Sequence, residues 1–149
     1  MTDSLKTALV PVTGNALDGE TVALACDLVR PSKGMVWVLY VIEVPRQLPL
    51  DAEIASASAE GERVLQEMER IGKKRKCKIE GEIIQARTLA VAVVDEAVQR
   101  SADLIVASAS YEEHFGAPSL GEVVPYLLKH SPCRVMVYRD SQAAAGGGN

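Results

Sequence analysis

The sequence predicts a single α/β domain, a doubly wound five-stranded parallel sheet in the order 3-2-1-4-5 with helices on both faces. Three observations carry this expectation. Apolar, strand-like runs alternate with stretches of helical periodicity along the chain, as βαβ units do. Asp103-Leu104-Ile105-Val106-Ala107-Ser108 is a short apolar run between polar flanks, the pattern of a strand covered on both faces. A chain of 149 residues is the size of one domain with room for a sizeable core. Right-handed crossovers restrict the topology. In the favoured order, the loops after strands one and four face each other across the switch-point crevice, where such folds bind ligands.

Lys6 to Val12 forms the first strand and Thr13-Gly14-Asn15 its exit turn. Pro11 has no N–H to donate, so a central first strand must tolerate one missing bond near its end. Asp18 and Thr21 open a helix in which Val22, Ala25, Leu28 and Val29 recur at helical spacing until Pro31 and Gly34 stop it. Met35 to Ile42 is aliphatic or aromatic throughout and makes a deep second strand, and Pro45 and Pro49 turn Glu43 to Leu50 into a loop.

Ile54, Ala57, Gly61, Val64, Leu65, Met68 and Ile71 mark the apolar stripe of a long helix. Lys78 to Ile84 alternates charged and uncharged residues, which suits an edge strand. Thr88 is placed to cap a third helix whose inner positions are Ala90, Val93, Val94, Ala97 and Val98. After the fourth strand, Ala109 to Gly121 is expected to be a loop, roughly Gly121 to Lys129 a fourth helix, and Cys133 to Tyr138 the fifth strand. Residues 5–139 then make the domain. The Ala- and Gly-rich segment 140–149 buries too little to order itself and is expected to be a disordered tail.

Composition narrows the function. No apolar run reaches bilayer length, so the chain is not expected to be membrane-embedded. Met1 to Lys6 lacks a signal-peptide pattern, which points to the cytoplasm. A formal charge of -4 argues against a general nucleic-acid binder. Cys26, Cys77 and Cys133 are odd in number and far apart, so they suit core positions better than a disulfide framework or a metal pair. His114 and His130 have no partners at metal spacing. Ser108, Ser110 and Tyr111 stand in no nucleophile elbow, so no residue is assigned a catalytic role.

Gly121-x-Val123-x-x-x-Leu127-x-x-His130-x-Pro132-Cys133-x-Val135-x-Val137 resembles the end of universal stress proteins. Leu9 to Asn15, Val41 to Pro45 and Ala102 to Val106 resemble that family's first strand and turn, second-strand exit and fourth strand. The resemblance implies a regulatory stress-response domain that uses no catalysis. It also implies a homodimer formed near the last strand, here Arg134, Val135, Met136, Val137 and Tyr138.

Nucleotide-binding members carry an acidic residue after strand one and the pattern G-x-x-G, nine residues, G-[ST] after strand four. Here the spacing is kept while Thr13, Ser108, Tyr111 and Glu122 replace the expected residues and only Gly121 survives. The candidate crevice residues are Pro11, Thr13, Gly14, Asn15, Val41, Ser108, Tyr111, Gly121 and Glu122.

Tyr111 brings a Cβ that disfavours positive φ and a ring that fills space. The Glu122 carboxylate competes with a phosphate for the same N–H groups, and like charges about 4 Å apart oppose each other by roughly 1 to 4 kcal/mol. The leading expectation is therefore a non-enzymatic regulatory domain with an altered, weakened nucleotide crevice, its candidate partners being a second copy, another protein or an adenine nucleotide. The alternative is an adenine-nucleotide module that still takes ATP or AMP. An enzyme of the wider nucleotide-binding α/β group is disfavoured because no S-G-G-x-D-S loop follows strand one.

Two local patterns stay open at this level. Ser119-x-x-Glu122 matches a capping box, although Pro125 argues for a later helix start. Arg70 to Lys78 holds six cations around Ile71, Gly72 and Cys77. That cluster suits a solvated helix C-terminus, or a docking patch for an acidic partner, nucleic acid or an anionic membrane surface.

Overall fold

The computed structural model describes residues 4–109, the backbone of 112–114 and 117–119, and residues 121–139. Along the chain these form β1 (Thr7–Val12), α1 (Asp18–Val29), β2 (Met35–Glu43), α2 (Ala55–Arg75), β3 (Lys78–Ala86), α3 (Leu89–Gln99), β4 (Leu104–Ser108), β5 (Glu112–His114), β6 (Ala117–Ser119), α4 (Val123–His130) and β7 (Arg134–Tyr138). The main sheet is parallel in the order β3-β2-β1-β4-β7, which is the expected 3-2-1-4-5 arrangement. The tail 140–149 lies outside the described residues.

Alternation along the central strands separates two cores. Ala8, Val10 and Val12 face α1 and α2 and pack with Val22, Ala25, Val64 and Met68. Leu9, on the opposite face, packs with Leu39, Val93, Ala97, Ile105 and Leu127 beneath α3 and α4. Cys26 belongs to the first core and Cys77 packs against it, while Cys133 packs against the second.

β1 pairs with β2 along its whole length, from Thr7 with Met35 to Val12 with Tyr40. Against β4 only Ala8 with Leu104 and Leu9 with Ile105 are in register. Pro11 therefore lies beyond the point where β1 and β4 part. A residue without an N–H is tolerated there, and the parting opens the crevice.

Several element details differ from the sequence expectation. α2 runs one turn further than its stripe, and the stripe ends on buried Gly72, where an added Cβ would meet Ile79 Cδ1 at 2.6 Å. Thr88 sits at the N-cap of α3, but its side chain makes no capping bond. Glu43 Oε2 accepts the Leu89 N–H at 2.7 Å instead. Val98 is 59% exposed and Ala92 is buried in its place, because Val98 lies about 100° round the helix from inward-facing Ala97.

The expected plain loop after β4 contains the antiparallel pair β5–β6, with Glu112 opposite Ser119 and His114 opposite Ala117. Ser119 thus belongs to a strand and α4 begins only at Val123, so the capping box does not form. Pro125 falls in the first turn of α4, where no intrahelical donor is lost.

Candidate functional site

The parting of β1 and β4 leaves a crevice of about 220 Å³. It brings together Pro11, Thr13, Asn15, Ser108, Gly121 and Glu122, six of the nine residues expected there. Gly14 turns away and lines a larger cavity between α1 and α2. Val41 lines a separate hollow with Tyr40 and Ile54. Tyr111 lies outside the described residues.

The β1–α1 loop is closed by its own side chains. The Asp18 carboxylate accepts the N–H groups of Thr13 at 3.3 Å and Gly14 at 2.7 Å. Asn15 Oδ1 accepts the Leu17 N–H at 2.8 Å, and its Nδ2 donates to Thr13 Oγ1 at 2.9 Å. Gly14 has φ +90°, a conformation other residues rarely adopt, which lets the loop fold back on Asp18.

Asp18 is 3% exposed. Burial raises its carboxyl above the ordinary range, against the opposing pull of the loop N–H donors. Sequence reasoning placed Asp18 only as a helix start. The available signal is its spacing, four residues after a turn glycine, which lets an acidic side chain reach back to the turn amides.

On the other wall, Gly121 has φ +75° with open space around a hypothetical Cβ, so conformation rather than room requires glycine there. Glu122 occupies the N-cap of α4, but its side chain makes no capping bond. Its carbonyl accepts the Tyr126 N–H at 3.3 Å. Val123 and Val124 of the first helical turn also line the crevice. Glu122 is the one charged residue among the described lining residues.

Away from the crevice, β7 forms one edge of the sheet, and its Met136 and Val137 are each 41% exposed. Tyr138 Oη donates to Glu20 Oε1 at 2.6 Å, tying that edge to α1. Val135 packs against the second core, and Arg134 is exposed. At the end of α2, Arg75 pairs with Asp27 at 3.0 Å, and Arg30 donates to the Arg75 carbonyl at 3.2 Å. Hydrogen bonding from Arg30, reinforced by Arg75, holds the Asp27 carboxyl below the usual carboxylate range. His130 closes α4 with its ring 4.3 Å from that of Tyr126. Among the described residues no cluster of metal-type ligands occurs, and no helix is long and apolar enough to cross a membrane.

The Universal stress protein family model matches residues 4–139. A comparison with curated proteins finds no match. Among solved structures, a universal stress protein from Archaeoglobus fulgidus superposes with a TM-score of 0.74 at 16% identity, over 89% of this chain and 97% of the other. One from Archaeoglobus fulgidus in complex with dAMP gives 0.70 at 15% identity, over 90% and 98%. A universal stress protein family protein from Arabidopsis thaliana with AMP bound gives 0.68 at 14% identity, over 93% and 94%. At these identities the likeness establishes the fold.

Proposed function

Because the chain belongs to the universal stress protein family, we propose that it is a non-enzymatic regulatory domain of the stress response in which the adenine-nucleotide crevice is weakened. The lining of that crevice carries the reading. A phosphate there meets the Glu122 residue and no cation among the described lining residues, and like charge without compensation opposes binding. The volume of about 220 Å³ also lies below the roughly 300 Å³ at which ligand pockets usually begin. The domain then acts through a protein partner, as a cytoplasmic homodimer joined along the β7 edge.

One observation favours the second reading, an adenine-nucleotide module for ATP or AMP. The first turn of α4 borders the crevice without a side-chain cap, and free N–H groups at a helix start attract anions. Related structures with AMP and dAMP bound add to it.

Calorimetric titration with ATP and with AMP separates the two. The weakened crevice predicts dissociation constants of about 1 mM or weaker for the natural chain, and at least about a tenfold gain, some 1.4 kcal/mol, in a Tyr111→Gly, Glu122→Ser double variant. Micromolar binding by the natural chain establishes the second reading. Nucleotide turnover by either protein contradicts the non-enzymatic assignment.

A further inference from the structure

A cavity of about 620 Å³, larger than the crevice, lies between α1 and α2. It runs on into a hollow of about 260 Å³ near the end of α2, the two sharing Gly19, Ile71 and Lys74. The two adjoin across these shared residues and are together called the α1–α2 groove. Gly19 lies in the first turn of α1, where a side chain would crowd the floor, since an added Cβ comes 3.2 Å from Ile71 Cδ1. A helical glycine costs stability relative to alanine, so this one is informative.

The charges along the groove are unequal in their engagement. Arg63 is paired with Glu60 at 2.8 Å and with Glu67 at 3.5 Å. The Asp18 carboxylate is taken by the loop N–H groups, and Glu20 by the Tyr138 hydroxyl. Arg75 is held by Asp27. Arg70 and Lys74, both exposed, have no carboxylate partner among the described residues. They follow one another at i and i+4 on one face of α2, about 6 Å apart along the axis. Alternate side chains of an extended peptide are separated by about 6.6 Å, so two carboxylates at i and i+2 match the two free cations.

We propose that the α1–α2 groove is a docking site for an extended acidic segment of a partner protein. The charge complementarity at Arg70 and Lys74 argues for this occupant. A single-stranded polynucleotide has similar phosphate spacing, but no aromatic ring lines the groove as a stacking platform. The assignment concerns a different face from the crevice and holds whichever nucleotide reading is correct.

The test uses the full chain and a fluorescein-labelled peptide of alternating glutamate and serine, followed by anisotropy and by amide chemical shifts. Saturable binding is expected, with shifts concentrated at Gly19, Arg70, Ile71 and Lys74. An Arg70→Glu, Lys74→Glu variant should bind at least tenfold more weakly. An Arg46→Glu, Lys129→Glu variant, which changes the net charge equally at exposed positions elsewhere, should bind as the natural chain does. Gly19→Leu should block the groove without altering charge, and circular dichroism monitors its folding. If Gly19→Leu does not fold, the two charge-reversal variants decide alone. Absence of saturable binding, equal loss in both charge-reversal variants, or tighter binding of an oligothymidylate of the same length overturns the proposal.

Discussion

Asp18 Oδ2 accepts the Gly14 N–H at 2.7 Å, so the loop after β1 is bound to the helix that follows it rather than left open toward a ligand. The same carboxylate accepts the Thr13 N–H. Removing it in Asp18→Ala leaves two part-buried donors without their acceptor, and chemical denaturation should show a loss of about 1 to 2 kcal/mol at neutral pH.

The pH dependence gives a second check on Asp18. Burial raises its folded-state value above the ordinary 3.8, so over a range above 3.8 the folded chain holds a proton that the unfolded chain has lost. Stability contributed by this group is therefore fully present at low pH and falls as pH rises through that range. Asp18→Asn cannot titrate. Relative to that variant, the natural chain should gain stability as pH is lowered from 6 to 4, and a change of the opposite sign would show the carboxyl to be depressed.

Glu43 and Thr88 divide differently from what the local pattern suggests. Thr88 has the residue type and position of an N-cap, yet the Leu89 N–H is bound by Glu43 from the end of β2. Glu43→Ala should cost about 1 kcal/mol, the usual value of a lost helix cap. Thr88→Ala should cost only a few tenths of that order, because no capping bond is removed. Thermal unfolding of the two variants side by side gives the ranking directly.

This contrast also marks what the sequence could disclose. Leu9, Val10, Ile105 and Val106 announce their burial by composition alone, and the sheet order follows from alternation and handedness. Glu43 and Leu89 are 46 residues apart, and no local pattern couples them. Asp18 falls between two roles, helix start and loop acceptor, and only the loop geometry decides. The pairing of β5 with β6 leaves no local signal, because three-residue strands are too short to show a period. At the crevice, the spacing placed Thr13, Ser108, Gly121 and Glu122 together, whereas Gly14 and Val41 turn to other faces, an orientation set by the loop bonds and the strand pleat.

The three cysteines should separate by reactivity. Cys26 is fully buried, and its thiol is pushed up to about 12 by burial, with a further contribution from neighbouring Cys77. Burial also raises the Cys133 thiol. Since the thiolate is the nucleophile, pulse alkylation of the native chain at pH 8 should label Cys77 first, Cys133 later and Cys26 only on unfolding. Peptide mass spectrometry reads the order. Early labelling of Cys26 would be incompatible with its place in the core.

The β7 edge carries the last prediction. One flank of β7 is laddered to β4 from Leu104 with Arg134 to Ser108 with Tyr138, while the other has no neighbour in the five-stranded sheet. Met136 and Val137 each expose 41% of their surface on this strand. Edge strands with exposed apolar residues invite pairing unless charge, proline or a bulge blunts them. A two-fold related copy would cover both residues and satisfy the open edge. Sedimentation analysis should therefore find the natural chain dimeric at micromolar concentration and a Met136→Lys, Val137→Lys variant monomeric, with the fold retained by circular dichroism because neither residue belongs to the buried cores. A monomeric natural chain would refute the dimer, and a dimer indifferent to both lysines would move the self-association surface away from β7.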